Sequence, residues 1–185
     1  MEKITKIDVA KLFSAPEKIK GIEKYADIMQ TFYTVNVATE KDFQKKFNAF
    51  YRVRRGQDWQ HVFYNLMEEN KNKQPSFEKI LREIYCKTGR IEASFTSKLL
   101  HTLNTDMPIW DKFVLQNLGL KTTACSGEEK ILMTISIYEK IVAWYKKALS
   151  TNQIYQKTID FDNVFTEYKW FSPTKKIDFL LWQMR

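Results

Sequence analysis

The sequence predicts an all-α protein of about eight to ten amphipathic helices. Three observations predict it. Apolar residues recur at i, i+3, i+4 and i+7 through most of the 185 residues. Only five glycines and four prolines interrupt the chain, too few for a strand-and-turn architecture or a glycine-rich phosphate loop. Hydrophobic residues make up 44% and aromatics 15%, which suits a well-filled helical core and not a disordered chain.

In chain order, Ile22, Tyr25, Ala26 and Met29 form the first full stripe. Tyr33, Val35 and Val37 alternate, but the stretch Phe32–Val37 is short and has no clear partner strand, so it reads as an extended linker. Thr39 followed by Asp42 marks a helix start, with Phe43, Phe47, Phe50 and Tyr51 along one side. Trp59, Val62, Phe63, Leu66 and Met67 form the next stripe. Phe77, Ile80, Leu81, Ile84 and Tyr85 follow just after Pro75-Ser76. Phe95, Leu99 and Leu103, with Leu100 beside them, line a helix over 94–103. Asp111 and Gly119 bracket a short helix over 112–118. Ser126 and Glu129 read as a capping box before the longest helix, with Ile131, Leu132, Ile135, Tyr138, Val142, Tyr145 and Leu149 inward. A last helix starts near Pro173-Thr174 and ends on Leu180, Leu181 and Trp182, sealing the core. Segments 70–73 and 121–127 read as loops. With no repeat and no low-complexity run, the expectation is one helical domain over 1–185, in which a helical subregion over 1–75 packs on a core over 76–185.

The net charge is +8 and the isoelectric point about 9.3. This balance favours an anionic partner, nucleic acid first, although a soluble protein can also simply be basic. The two cysteines, Cys86 and Cys125, stand in unrelated contexts without a CxxC or a nearby histidine, so no zinc site and no other cofactor is expected. Cys86 follows Ile84-Tyr85 and is expected to pack. The opening MEKITKIDVAKLF has no apolar signal region, and no window reaches the roughly 18 apolar residues of a membrane span. These features together indicate a reduced, cytoplasmic setting and no membrane partner.

The stretch GRIEASFTSKLLHTLNTDMPIWDKFVLQNLGL, 89–120, holds the candidate chemistry. Lys98 lies about 60° around its helix from Phe95 and about 100° from Leu99, so it flanks the buried stripe. It can be a surface lysine with its stem along the core, or an amine held at the edge of a site. Asp111, directly after Pro108-Ile109-Trp110, can be a plain N-cap, or a rigidly held carboxylate beside a ligand. The seven-residue turn 104–110 reverses the chain between them, and this suggests that the two line a shared cleft.

A helix over 77–87, a short turn at Thr88-Gly89-Arg90, a helix carrying Lys98, then Pro-x-x-Asp at 108–111 and another helix resembles the helix-hairpin-helix DNA glycosylase superfamily, in particular its 8-oxoguanine DNA glycosylase-like members. With its closing KKIDFLLWQMR the chain is similar to an uncharacterised bacterial branch. The resemblance implies a lysine at position 98 that attacks the sugar C1′ and an aspartate at position 111 that supports departure of the base. Where such proteins carry Gly-x-Gly in the hairpin, this turn has Gly89 alone, and the Lys–Asp spacing is shorter than theirs. The resemblance also implies a flipped base in a pocket, for which Tyr85, Trp110 and Phe113 are stacking candidates; each is equally an ordinary core aromatic.

Basic residues elsewhere fit the same partner. FYRVRRGQDW places Arg52, Arg54 and Arg55 after an aromatic helix that carries Lys45 and Lys46, and Arg90 sits in the hairpin turn. Such cations among aromatics suit a phosphate backbone, or complement a helix C-terminus. His61 and His101 are lone histidines; His101, three residues after Lys98, can line the same cleft or simply lie on a polar face. The function expected is DNA glycosylase-like binding, DNA before RNA, with excision or recognition of a modified base. The alternative is a helical binding module without chemistry.

Overall fold

The computed structural model describes residues 2–121 and 125–184. It is helical as the periodicity predicts, with no strand among the described residues. The helices are α1 (Glu2–Thr5), α2 (Val9–Leu12), α3 (Pro16–Phe32), α4 (Lys41–Tyr51), α5 (Gln57–Glu69), α6 (Phe77–Thr88), α7 (Ala93–Leu103), α8 (Lys112–Leu118), α9 (Gly127–Leu149), α10 (Asn152–Val164) and α11 (Pro173–Gln183), with a 3-10 turn at Thr166–Tyr168. The single turns α1 and α2, and the whole of α10, lie where no stripe is predicted.

The chain divides into two compact units, Lys20–Asn104, and Met1–Ile19 together with Thr105–Arg185. In the unit 20–104, an aromatic ladder joins four helices. Phe32 of α3 lies 6.2 Å from Phe43 of α4, ring to ring. Phe47 lies 5.8 Å from Phe63 of α5. Trp59 stacks on Phe63 at 5.0 Å and meets Phe95 of α7 at 5.0 Å. Phe32, Phe43, Phe47 and Phe63 are almost wholly buried, each contributing about 1.5–3 kcal/mol through burial.

Several expectations in this unit are corrected. Residues 33–40 form turns, not an extended linker: Thr34 N–H donates to Thr31 O at 3.0 Å and Glu40 N–H to Asn36 O at 2.9 Å. Buried Val37 anchors them, its N–H donating to Glu68 Oε2 at 2.8 Å, while Tyr33 faces outward. The cap of α4 is Glu40, which accepts from Asp42 N–H, one residue beyond the predicted Thr39. Tyr85 and Cys86 fall on the outer face of α6, so neither packs inward. His101 is fully buried, with its Nε2 2.8 Å from the Tyr25 hydroxyl.

In the other unit, Phe161 of α10 is the hub. Phe13, Phe165, Phe171 and Phe179 all lie with ring centroids within 6.5 Å of it. The buried face of α9 is Ile131, Thr134, Ile137, Tyr138, Ile141, Tyr145 and Ala148. Of the predicted stripe Ile131, Tyr138 and Tyr145 are buried, whereas Leu132 is exposed and Ile135, Val142 and Leu149 are half-buried; the buried face is turned from the predicted one toward Thr134, Ile137, Ile141 and Ala148. Ser126 occupies the N-cap position but makes no side-chain capping bond, so the predicted capping box is not formed. Of the loop expected over 121–127, residues 122–124 lie outside the described residues, and Gly127 opens α9. The start of α11 is as predicted: Ser172 caps it, accepting from Lys175 N–H at 3.2 Å, and Pro173 stands at its first position.

Candidate nucleic-acid interface

Lys98 is the sixth residue of α7 and is half-buried beside the inward Phe95, Leu99 and Leu100. Its amine donates to Tyr51 O at 3.3 Å. It also stands 4.9 Å from the Phe95 ring centroid and 5.6 Å from that of Tyr51. Tyr51 is the last residue of α4, so the carbonyl that Lys98 meets is one of those a helix leaves without an internal partner. A cation there also complements the helix dipole.

The other face of this junction is held by Arg55. Its Nε donates to Glu92 Oε1 at 2.8 Å and its Nη2 to Glu92 Oε2 at 3.2 Å. The guanidinium carbon lies 5.3 Å from the Phe95 centroid. The hydrogen bonds to Glu92 hold the guanidinium above its ordinary pKa. Phe95 thus takes cations from two segments, and the fork from Arg55 to Glu92 ties the α4–α5 loop to the turn between α6 and α7.

The remaining basic candidates separate into two kinds. Lys46 is engaged, 3.1 Å from Asp27 and 3.0 Å from Asp42. Lys45, Arg52, Arg54 and Arg90 are exposed, and among the described residues their side chains make no hydrogen bond, ion pair or ring contact. Arg52 and Arg54 ride on the α4–α5 loop and Arg90 on the α6–α7 turn, the two segments that Arg55 and Glu92 join.

Asp111 belongs to the other unit. Its Oδ1 accepts from Phe113 N–H at 2.6 Å and Val114 N–H at 3.3 Å, so it caps α8 as predicted. Gly119, at φ 64°, closes the helix. The loop before Asp111 is fixed by the Tyr138 hydroxyl, which donates to Pro108 O at 2.9 Å. Trp110 is buried and Phe113 half-buried, whereas Tyr85 in the unit 20–104 is exposed. Of the three stacking candidates, Tyr85 therefore offers an open ring, and Trp110 is part of a core.

The same unit holds a buried polar cluster that sequence reading misses. Lys175 Nζ donates to Asp178 Oδ2 at 2.7 Å, with the lysine side chain only 3% exposed. Lys176 reaches Asp162 of α10 at 2.7 Å and the Lys169 carbonyl at 3.1 Å. Burial pushes the Tyr145 hydroxyl far above its ordinary pKa, and the charges of Asp178 and Asp111 push it further. The signal that was available is the i, i+3 spacing of Lys175 and Asp178; the Asp162 partner, from another helix, left none.

His61 is exposed, with its Nε2 3.0 Å from Asn65 Nδ2. Among the described residues no group of three or more His, Cys, Asp or Glu side chains is placed to hold a metal ion, and no helix is long and apolar enough to cross a membrane. Comparison of the chain with protein-family models, with curated proteins and with solved structures gives no match.

Proposed function

We propose that this chain is a nucleic-acid-binding protein of the helix-hairpin-helix DNA glycosylase type, acting on DNA in a reducing, cytoplasmic setting. The observation that carries the reading is the α6–α7 hairpin. It turns at Gly89 in a left-handed conformation, φ 69°, and sets Lys98 at the margin of the second helix, next to a loop of exposed arginines. Phosphate contacts from those arginines supply affinity without sequence preference.

In the catalytic form of the reading, the neutral Lys98 amine attacks C1′ of a damaged nucleotide. The N-glycosidic bond breaks and its electron pair leaves with the base, which takes up a proton. The amine loses both its protons, balanced by those taken up by the base and by the ring oxygen, as the C1′–O4′ bond breaks and the sugar opens to an imine on Lys98. The resemblance to the glycosylases gives Asp111 the part of supporting the positive charge that develops on the sugar. Borohydride reduces such an imine to a stable protein–DNA adduct. The test uses a panel of duplexes that each carry one damaged base. Trapping by the wild type, abolished in Lys98→Ala and slowed in Asp111→Asn with binding retained, supports it. Absence of adduct on every duplex removes the catalytic form.

A second reading, a DNA-binding module without chemistry, is favoured by the company Lys98 keeps. A helix-terminal carbonyl and two ring faces are partners that attract an ammonium. On this reading Lys98→Ala lowers stability, and the wild type binds duplex without forming an adduct. Fluorescence anisotropy of a labelled duplex across a salt series tests what the two readings share. Binding that is absent at low salt, or indifferent to salt, removes nucleic acid as the partner.

A further inference from the structure

Three helices, α4, α6 and α8, close on a residue in the left-handed conformation. For α6 it is Gly89 (φ 69°, ψ 10°) and for α8 it is Gly119 (φ 64°, ψ 21°). For α4 it is Arg52 (φ 53°, ψ 47°), the one non-glycine residue with positive φ among the described residues. α4 and α8 share the outer backbone bond of their caps, although Gly119 N–H also reaches Gln116 O and Arg52 N–H reaches Asn48 O alone. Val53 N–H donates to Asn48 O at 2.9 Å, and Leu120 N–H donates to Leu115 O at 2.9 Å, the six-to-one bond of the same capping motif. The geometry asks for a left-handed residue, and glycine adopts that conformation without the clash a Cβ brings.

The Arg52 side chain gives the fold nothing in return. It is exposed and makes no hydrogen bond, ion pair or ring contact among the described residues. The one service a cation commonly performs at a helix C-terminus is already performed for α4 by Lys98 at the Tyr51 carbonyl. A strained position that keeps a bulky, unsupported side chain points to a use outside the chain. Arg54 and Arg90, at ordinary backbone positions, are likewise exposed and unengaged, and the fork between Arg55 and Glu92 holds their two segments together. It also neutralises Glu92, the carboxylate of the α6–α7 turn. Guanidinium groups are suited to bidentate contact with phosphate oxygens.

We propose that Arg52, Arg54 and Arg90 form a clamp for the phosphate backbone of duplex DNA, and that Arg52 holds its left-handed conformation for that contact at a loss of stability. The proposal rests on the nucleic-acid reading above and names the residues that make the contact. It is tested on the full chain by anisotropy with a labelled duplex over a salt series, alongside thermal unfolding. Arg52→Gly melts about 2–4 °C higher than the wild type. It nevertheless binds about three- to tenfold more weakly at low salt, with the slope of log K against log salt shallower by about 0.9. Arg52→Lys restores the slope but not the full affinity, because it keeps the charge and loses the fork. The double variant Arg54→Ala/Arg90→Ala flattens the slope by about 1.8. Unchanged affinity and slope in Arg52→Gly overturn the clamp while leaving the nucleic-acid reading in place. A lower melting temperature in that variant overturns the strain argument. A wild type that binds no duplex at low salt removes the nucleic-acid reading and the clamp with it. Equal, equally Arg52-dependent binding to anionic lipid vesicles overturns the assignment to DNA.

Discussion

Breaking the link between Arg55 and Glu92 from either end has unequal consequences, and the inequality follows from exposure. The Glu92 side chain is 10% exposed and that of Arg55 33%. Arg55→Ala leaves a carboxylate that water hardly reaches and removes the cation from the Phe95 face. Loss of one partner from such a pair costs about 3 kcal/mol, and the ring contact adds about 0.5–1 kcal/mol. Glu92→Ala leaves a guanidinium that turns to solvent, so the loss is about 1–2 kcal/mol, that of charge-assisted hydrogen bonds. The double variant is less destabilised than the sum, with a coupling energy of about 2 kcal/mol. Urea unfolding of the four proteins, followed by circular dichroism, measures all three quantities. Equal costs for the two single variants, or coupling below about 0.5 kcal/mol, the level of independent sites, would refute the reasoning. A second readout separates positioning from charge. Glu92→Ala removes a negative charge, so electrostatics alone predicts tighter binding to DNA. If the pair holds the arginine-bearing segments in register, Glu92→Ala binds more weakly instead.

Burial raises the hydroxyl pKa of Tyr64, Tyr138 and Tyr145 above the ordinary 10.0. The unfolded chain therefore loses these protons first as pH rises, and stability is full below pH 10 and falls above it. In an alkaline titration, the tyrosinate absorbance of these three appears only together with loss of the helical signal; their ionisation in a chain that stays helical contradicts the burial. Asp111→Ala removes the acceptor of two backbone N–H groups and destabilises by about 1 kcal/mol. Asp111→Asn keeps the acceptor and stays within a few tenths, as read from the midpoints of urea curves.

How far the fold is legible in the sequence depends on whether a helix has one apolar side or several. On α6 the buried residues Phe77, Ile80, Leu81 and Ile84 alternate with charged ones, and the stripe can be read directly. On α9, Ile131, Leu132, Ile135, Ile137, Ile141 and Val142 spread over about 220° of the helix, well beyond a single stripe. The period is plain, but the phase is set by what α8, α10 and α11 present, and that cannot be read locally. On α10, Tyr155, Ile159 and Val164 are exposed while Ile154, Thr158 and Phe161 are buried, so two competing stripes hide the helix. His101 and Tyr25 illustrate a different limit. They are separated by 76 positions, and the polar look of a histidine gives no hint that a distant hydroxyl will satisfy it inside the core.

The same limit governs the basic residues, and it explains why composition alone misleads about a binding surface. RVRR at 52–55 and PTKK at 173–176 look alike as sequence. Lys175 and Lys176 are buried because Asp178 lies one turn ahead on the same helix and Asp162 reaches across from α10. Arg55 is half-buried because Glu92, 37 positions away, meets it. Among the described residues Arg52 and Arg54 have no such carboxylate, and they sit at a helix end and in a loop, exposed to solvent. Each buried pair cancels its own charge, so it adds nothing to the field that an anionic partner meets. The net +8 is therefore a poor guide to where such a partner docks. The better guide is the set of cations whose local segment is held in place and whose own side chains are left unengaged. Arg52, Arg54 and Arg90 meet both conditions, because the pair beside them, Arg55 and Glu92, supplies the fixing that their own side chains do not.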